Sequence, residues 1–533
     1  MPKDQTQEAT LRSVFASLSP SNSPRRLELT IVFHPDALRV GTRAILPADS
    51  RGKTLLLGRY TPLFTSQQSV VGEEELSLDD RHVSRNALRL KPEPGGIRIG
   101  KCPGACRCRV DGKELDEERA FSIEQLDAGI SIFLGHSVVL LLRRRGVNQA
   151  RKGVPAGSAN DGMVGSSTYM VALREQITRL AARPDDVLIL GETGSGKELV
   201  ARALHNKSVR AKRALVAVNM AAITPSLAPA LLFGTVRGAF TGASGNTAGF
   251  FQQAAGGSLF LDEVGDTPQE IQSQLLRAVQ QREIQPVGGS LLSVDLRIIS
   301  ATDADLDNPG SGFKAALRYR LAATEITVQP LRCHREDIGE LAWYFLQSAC
   351  AEQDKIALLP GPASTETALA LWAELFHLLL RYPWPGNVRQ LANVIAQVVL
   401  ASDAELVLPQ KLERELTQWE RSPPPTALDS RKKRRPLVVA SHAEIDAALL
   451  AADYQVAVAA KQLGVTRQSV YKYIDHSPQL RLAADIPLAE LQQMLNACAG
   501  NLAQAALKFK VSRHGLRARL RECRVGMVPG APM

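Results

Sequence analysis

The chain has 533 residues, 45% of them hydrophobic, and a net charge of +10, which accommodates three or four domains and excludes a wholly disordered protein. No apolar run reaches the roughly 18 residues of a membrane span, and Met1-Pro-Lys-Asp-Gln5 lacks the basic-then-apolar order of a signal peptide, so a cytoplasmic protein with no membrane partner is expected. Seven cysteines in no regular framework fit reduced thiols.

Residues 1–24 are polar and carry Ser and Pro, and are expected to be disordered. Over residues 25–145 the pattern changes to short strand-like runs, 27–33, 54–57, 87–90, 97–99, 108–110 and 130–134, split by Gly, Pro and Asp turns. This predicts a β-sandwich. The cluster Cys102-Pro-Gly-Ala-Cys106-Arg-Cys108 has no second ligand pair at structural-zinc spacing, so free thiols in a loop are favoured over a metal site. Residues 146–163, basic and then rich in Gly, Ala and Ser, read as a linker.

Next comes Val187-Leu-Ile-Leu190, an apolar strand, followed by Gly191-Glu192-Thr193-Gly194-Ser195-Gly196-Lys197 and a helix-like run. This is the setting of a phosphate-binding loop, in which backbone N–H groups and a helix N-terminus donate to phosphate oxygens while Lys197 supplies a point charge. A tight strand-to-helix turn with a surface lysine is the plain alternative. Glu198 stands where such loops often place a hydroxyl on magnesium, so Mg2+ would depend on phosphates, water and another acid. That acid is found in Gly256-Gly-Ser-Leu-Phe-Leu-Asp262-Glu263, a strand running into two carboxylates. Asp262 suits the metal and Glu263 suits orienting the water that attacks a phosphoanhydride, with a strand ending in a solvated acidic turn as the plain alternative. The run 271–279 reads as an amphipathic helix and 296–301 as a buried strand, an order that suggests a parallel sheet covered on both faces.

Between these motifs lies Leu232-Phe-Gly-Thr-Val-Arg-Gly238-Ala239-Phe240-Thr241-Gly242-Ala243, a small-residue loop with one aromatic at its tip. With it, residues 164–410 resemble the sigma-54-dependent transcriptional activators, also called bacterial enhancer-binding proteins. The resemblance implies an α/β AAA+ ATPase domain with a helical lid, in which Gly238–Ala243 contact sigma-54. It also assigns Thr302 and Asp303 to the position that senses the terminal phosphate, where Asp303 replaces a usual asparagine. Arg320 matches an arginine finger offered to a neighbouring subunit, and Lys314 stands where a second such arginine is usual. Arg318 reads as a surface residue. Arg389, in Trp384-Pro-Gly-Asn-Val-Arg389, matches the lid's sensor arginine, and Asn219 matches the residue that restrains the catalytic glutamate. Leu231 replaces an acid usual before Leu-Phe-Gly.

The N-terminal domain carries Gly58-Arg59 after one strand and Asp79-Asp-Arg-His-Val-Ser84-Arg-Asn86 before another. It resembles a forkhead-associated domain, a reader of phosphothreonine proteins. By that resemblance Arg59 and Ser84 contact phosphate, as an Arg and a hydroxyl can. Ala87 and Cys106 depart from the family pattern, which leaves open a domain used for intramolecular packing.

Residues 411–442 form a basic linker containing Arg431-Lys-Lys-Arg-Arg435. Across residues 431–533 Lys and Arg outnumber Asp and Glu by 16 to 7, and such a basic segment points to double-stranded DNA. Residues 444–474 recur 46 positions later as 490–520, an internal duplication that sets two copies, 443–480 and 486–525. Both copies resemble the Fis-type helix-turn-helix that ends these activators, so the C-terminal part is expected to be all-α and duplicated. Thr466 or Ser512 N-caps the last helix of each copy. Arg467, Gln468 and Lys472, or Arg513 and Arg517, then face DNA. The first copy has Gly464 in its turn where the second has Lys510.

The whole is read as an ATP-driven activator that binds DNA upstream of promoters, assembles as a ring and remodels sigma-54 RNA polymerase. The rival is a DNA-binding scaffold whose motor is disabled by Asp303 and Lys314.

Overall fold

This computed structural model describes residues 25–47, 54–65, 75–146, 162–239, 245–306, 312–403, 405–408, 410–421, 442–456, 458–459, 474, 480–481, 486–498, 501–513, 515–517 and 519–520. The expected disordered segment 1–24 and most of the linker at 146–163 lie outside the described residues.

The N-terminal part forms two antiparallel sheets, of eight and four strands. All six strand-like runs coincide with its strands, with Thr54 and Ala87 just outside Leu55–Leu57 and Leu88–Glu93. A further strand, Val138–Gly146, pairs with Arg25–Phe33 on one side and Ile130–Leu134 on the other. Alternation along these strands divides their side chains between two cores. Ile130, Ile132, Leu134, Val138, Leu140 and Leu142 meet Leu88, Leu90, Ile97 and Ile99 of the smaller sheet.

The opposite face is also dry. Phe33, Phe133, Val139 and Leu141 pack with Ile338, Trp343, Phe376 and Leu380 from the helices Ile338–Glu352 and Glu366–Arg381. The Phe33 and Phe376 rings lie 4.8 Å apart. Gly339 allows the backbones to approach, since a Cβ there would stand 2.4 Å from Val32 O. Burying one such aromatic is worth about 1.5–3 kcal/mol, so this contact is an extension of the core. The sandwich therefore does have the packing role that its departures from the forkhead-associated pattern left open.

Several buried polar groups in this junction find partners, which a low-dielectric setting favours. Ser131 Oγ lies 3.2 Å from His377 Nε2. Arg143 Nη1 donates to Glu336 Oε2 at 2.9 Å, and Arg335 Nη1 donates to Ala128 O at 2.8 Å. Arg109 pairs with Glu374.

The central part contains a five-stranded parallel sheet in the order Leu215–Asn219, Ser258–Asp262, Arg297–Thr302, Val187–Gly191, Thr324–Val328. Its strands read as continuous apolar runs because both faces are covered. Leu188, Leu259, Leu261 and Ile298 share one core with Leu275 of helix Gln269–Gln281 and Leu317 of helix Ala315–Leu321. Val187, Ile189, Phe260 and Ile299 share the other with Ile177 of helix Thr168–Ala181 and Val200 of helix Lys197–Asn206. The lid helices Ile338–Glu352, Glu366–Arg381 and Asn387–Ala401 follow.

A helix, Gln410–Arg421, occupies the start of the segment read as a basic linker. Leu412, Leu416 and Trp419 recur there at helical spacing. The C-terminal part is helical over His442–Ala451, Leu488–Ala497 and Leu502–Lys508. Ile445, Ala452, Ala459 and Ile474 lie in one small core, and Leu491, Cys498, Ala505 and Leu520, each 46 positions later, in a second. The repeat seen in sequence is thus a repeat of packing. Lys510 adopts φ +57°, a left-handed conformation that glycine takes without strain. Gly464, its counterpart, lies outside the described residues. No helix among the described residues is long and apolar enough to cross a membrane.

Candidate functional site

The strand Val187–Gly191 turns directly into helix Lys197–Asn206 through the glycine-rich loop. Gly194 at φ +75° and Gly196 at φ +101° take left-handed conformations that make the turn possible. A Cβ on Gly194 would lie 2.5 Å from Gly386 O of the lid. Lys197 is buried, and its Nζ donates to Gly191 O at 3.0 Å and to Glu263 Oε1 at 3.3 Å. Ser195 Oγ is buried with no hydrogen-bond partner among the described residues. An orphaned hydroxyl beside a buried ammonium, in a loop opening a helix, fits an anion with several acceptor oxygens.

The carboxylates come from the adjoining strand Ser258–Asp262, whose last residue stands opposite Asn219. Glu263 sits at φ 50° and ψ 47°, a conformation that costs a residue with a Cβ about 1–2 kcal/mol. The Asp262 Oδ1 accepts from the Glu263 N–H at 3.1 Å. Burial raises the pKa of both acids, and at Glu263 the charges of Asp303 and Asp262 add to that rise against the opposing pull of Lys197. A cation near Asp262 would relieve the same desolvation, so the donor set suits Mg2+. Glu198 is turned away to Arg202, at 2.7 Å.

Thr302 is buried at the end of its strand, where its Oγ1 accepts from the Ala304 N–H at 3.1 Å. The neighbouring Asp303 accepts at Oδ2 from Thr193 Oγ1 of the phosphate loop, at 2.5 Å. A cavity of about 160 Å³ beside them is lined by Gly191, Thr302, Asp303 and Arg318. Arg318, read as a surface residue, is instead half-buried and paired with Glu325. The acid comes from the strand Thr324–Val328, which follows the helix Ala315–Leu321 in the chain.

Other assigned residues do not meet in one chain. Asn219 Oδ1 accepts from the Ala221 N–H at 2.9 Å, while Glu263 is held by Lys197. Lys314 Nζ donates to Ser273 Oγ, and Arg320 is exposed on its helix. Among the described residues no hydrogen bond joins Lys314 or Arg320 to the phosphate loop.

Two residues the sequence reading missed connect the loop to the lid. Arg332 donates to both carboxylate oxygens of Glu192, at 2.7 Å for Nη1 to Oε2. That pairing holds the Glu192 carboxyl below its ordinary pKa. Asn387, fully buried at φ +51°, donates through Nδ2 to Thr193 O at 3.1 Å and to Glu192 Oε2 at 3.2 Å. Its Oδ1 accepts from the Leu331 N–H at 2.9 Å. The Arg389 N–H donates to Gly194 O at 3.3 Å, and the exposed guanidinium of Arg389 lowers the pKa of Asp262 through space, against the larger effect of burial.

Of the hallmark loop, Gly238 at φ +81° and Ala239 are described, whereas Phe240, Thr241, Gly242 and Ala243 lie outside the described residues. In the sandwich, Arg59 and Ser84 are brought together. Arg59 donates through Nε to Val83 O at 2.9 Å and through its backbone N–H to Ser84 O at 3.0 Å, and Ser84 Oγ accepts from the Cys106 N–H at 2.8 Å. Cys102, Cys106 and Cys108 are free thiols, with Cys108 starting the strand Cys108–Val110. In the C-terminal part Thr466, Arg467, Gln468 and Lys472 lie outside the described residues. Ser512 Oγ accepts from the Gly515 N–H at 3.1 Å, an N-cap, and Arg513 and Arg517 are exposed one turn apart.

Comparison with known proteins places this geometry. Residues 163–327 match the sigma-54 interaction domain, and residues 332–428 match the AAA+ ATPase lid domain. The chain is 42% identical over 316 residues to the transcriptional regulatory protein ZraR of Klebsiella oxytoca, covering 59% of this chain and 68% of that protein. It is 43% identical over 258 residues to the DNA-binding transcriptional regulator NtrC of Proteus hauseri, covering 48% and 52%. A crystal structure of NtrX from Brucella abortus in complex with ADP is 28% identical, with a TM-score of 0.40 and coverage of 68% of this chain and 70% of that one. The matched domain pair and the extent of the ZraR match establish that the chain belongs to the sigma-54-dependent transcriptional activator family, with a central AAA+ domain and its lid.

Proposed function

We propose that this protein hydrolyses ATP with Mg2+ as a ring, while bound to double-stranded DNA upstream of promoters, and uses the 238–243 loop to remodel sigma-54 RNA polymerase. The observation that carries this reading is the Lys197–Glu263 contact beside the orphaned Ser195 hydroxyl. Phosphate oxygens arriving in the loop compete for the ammonium, because a multiply charged anion attracts it more strongly than one carboxylate. Glu263 is then released to orient the attacking water. Asp262 would hold the Mg2+, which supplies charge neutralisation at the phosphates. Arg320, exposed and away from its own chain's loop, suits a neighbour's site, and that makes hydrolysis depend on assembly.

Arg513 and Arg517, with Arg467, Gln468 and Lys472 of the first copy, supply DNA contacts in this reading, and Arg59 with Ser84 supplies a site for a phosphothreonine protein. The test is phosphate release by the purified chain across a range of protein concentrations, with and without upstream DNA. Turnover that rises with concentration and with DNA supports the motor. Nucleotide binding with no turnover at any concentration favours the scaffold.

A further inference from the structure

We propose a binding site for a divalent transition metal, with zinc as the best match, formed by His82, His136 and Glu366 where the sandwich meets the lid. His82 lies in the turn preceding strand Leu88–Glu93, His136 in the turn between strands Ile130–Leu134 and Val138–Gly146, and Glu366 begins helix Glu366–Arg381. One ligand-capable atom of each lies within 4.8 Å of the other two. The two imidazoles pack at 4.1 Å between centroids.

His136 Nε2 stands 3.3 Å from Glu366 Oε1. Zinc bonds of about 2.0–2.1 Å in a tetrahedron place neighbouring ligand atoms about 3.3–3.4 Å apart, so this pair already has the separation of two ligands. His136 Nε2 is buried and makes no hydrogen bond among the described residues, which a simple His–Glu ion pair would be expected to form. His82 Nε2 accepts from Arg81 Nε at 2.9 Å, so a metal at that nitrogen takes the lone pair in place of the Arg81 hydrogen bond. An adjoining cavity of about 420 Å³, lined by His82, His136, Cys106 and Glu374 among others, gives an ion a route in and room for a water as fourth ligand.

Two imidazoles and a carboxylate with an open position form a ligand set that suits zinc better than calcium or magnesium, which favour all-oxygen sites. The ligands come from both sides of the junction. A bound ion would therefore fasten the sandwich to the lid, a role separate from nucleotide or phosphopeptide binding.

The test is zinc titration of the chelator-stripped full chain by calorimetry, with bound metal counted after gel filtration. One zinc per chain is expected. Affinity should fall by more than about tenfold, the lower end of what even outer partners of a metal site contribute, in His136→Ala and in Glu366→Gln, and remain in Cys106→Ser. Glu366 is exposed at a helix start, so Glu366→Gln keeps the test valid if the histidine variant misfolds. Absence of zinc from the wild-type chain, unchanged affinity in Glu366→Gln, or loss confined to Cys106→Ser would each overturn the proposal. Cobalt substitution gives an independent readout, since a thiolate charge-transfer band would assign the metal to the cysteines instead.

Discussion

Asp303 Oδ2 accepts a hydrogen bond from Thr193 Oγ1 at 2.5 Å, joining the end of the strand Arg297–Thr302 to the phosphate loop. The residue that departs from the family pattern is thus a strut under the loop, and its charge also helps to raise the Glu263 pKa. Asn at 303 could accept the same hydrogen bond through its amide oxygen while removing the charge. Asp303→Asn should raise hydrolysis by about tenfold or less, equivalent to about 1.4 kcal/mol at most, and move the acid limb of the rate profile to lower pH. An unchanged pH limb in steady-state phosphate release would show that Asp303 does not act on Glu263.

The Lys197–Glu263 contact leads to opposite expectations for its two members. Lys197→Ala removes the charge that meets phosphate and leaves Glu263 buried without its partner, so nucleotide affinity should fall by at least about 2–3 kcal/mol. Glu263→Gln frees Lys197 from competition, and nucleotide should bind a few-fold tighter while turnover drops by about 10²–10⁴. Equilibrium titration with a fluorescent nucleotide separates the cases. Weaker binding in Glu263→Gln would mean that the carboxylate supports the loop.

Much of this was legible because the chemistry imposes local sequence. A loop that wraps phosphate needs Gly194 and Gly196 at positive φ, and a buried parallel strand needs apolar residues on both faces, so both left marks that can be read from neighbours in the chain. Asn387 left none. Its function depends on reaching Glu192 and Thr193, 195 and 194 positions away, and an asparagine in a Pro-Gly turn otherwise reads as ordinary turn chemistry. An intramolecular packing role for the sandwich was left open without its partner, the lid, although Val138-Val-Leu-Leu-Leu142 carried the signal. An antiparallel strand with one wet face alternates, and this one does not.

The same junction should respond to acid through His377. Burial, with Arg109 and Arg381 adding to it, lowers the His377 pKa to about 3 from an ordinary 6.5. The unfolded chain takes up a proton below about pH 6.5 while the folded one does not until about pH 3, so the stabilisation is full above pH 6.5 and declines as pH falls through that window. Between pH 6.5 and 5 the loss is about 2 kcal/mol at most, at about 1.36 kcal/mol per unit. Thermal unfolding of the full chain should shift down over this range, and less so in His377→Gln. Equal shifts in both would assign the acid sensitivity to other groups, such as His34, whose pKa burial also lowers.

Ring-dependent catalysis can be tested by complementation between two inactive chains. Arg320 is exposed on helix Ala315–Leu321, and no hydrogen bond joins it to its own chain's phosphate loop among the described residues. Arg320→Ala should therefore bind nucleotide normally yet lose turnover by about 10³-fold or more, the scale on which an arginine finger acts. Lys197→Ala should also be inactive, because it cannot hold nucleotide. In a mixture of the two, an Arg320→Ala chain still has an intact loop, and a Lys197→Ala neighbour still has its arginine. Wherever those surfaces meet, one complete site forms. A Lys197→Ala, Arg320→Ala double variant mixed with either single variant leaves every site incomplete and serves as the control. Phosphate release should recover in the first mixture to a modest fraction of wild type and stay absent in the control. If no recovery occurs although gel filtration shows mixed assemblies, Arg320 acts within its own chain and the shared-site reading fails.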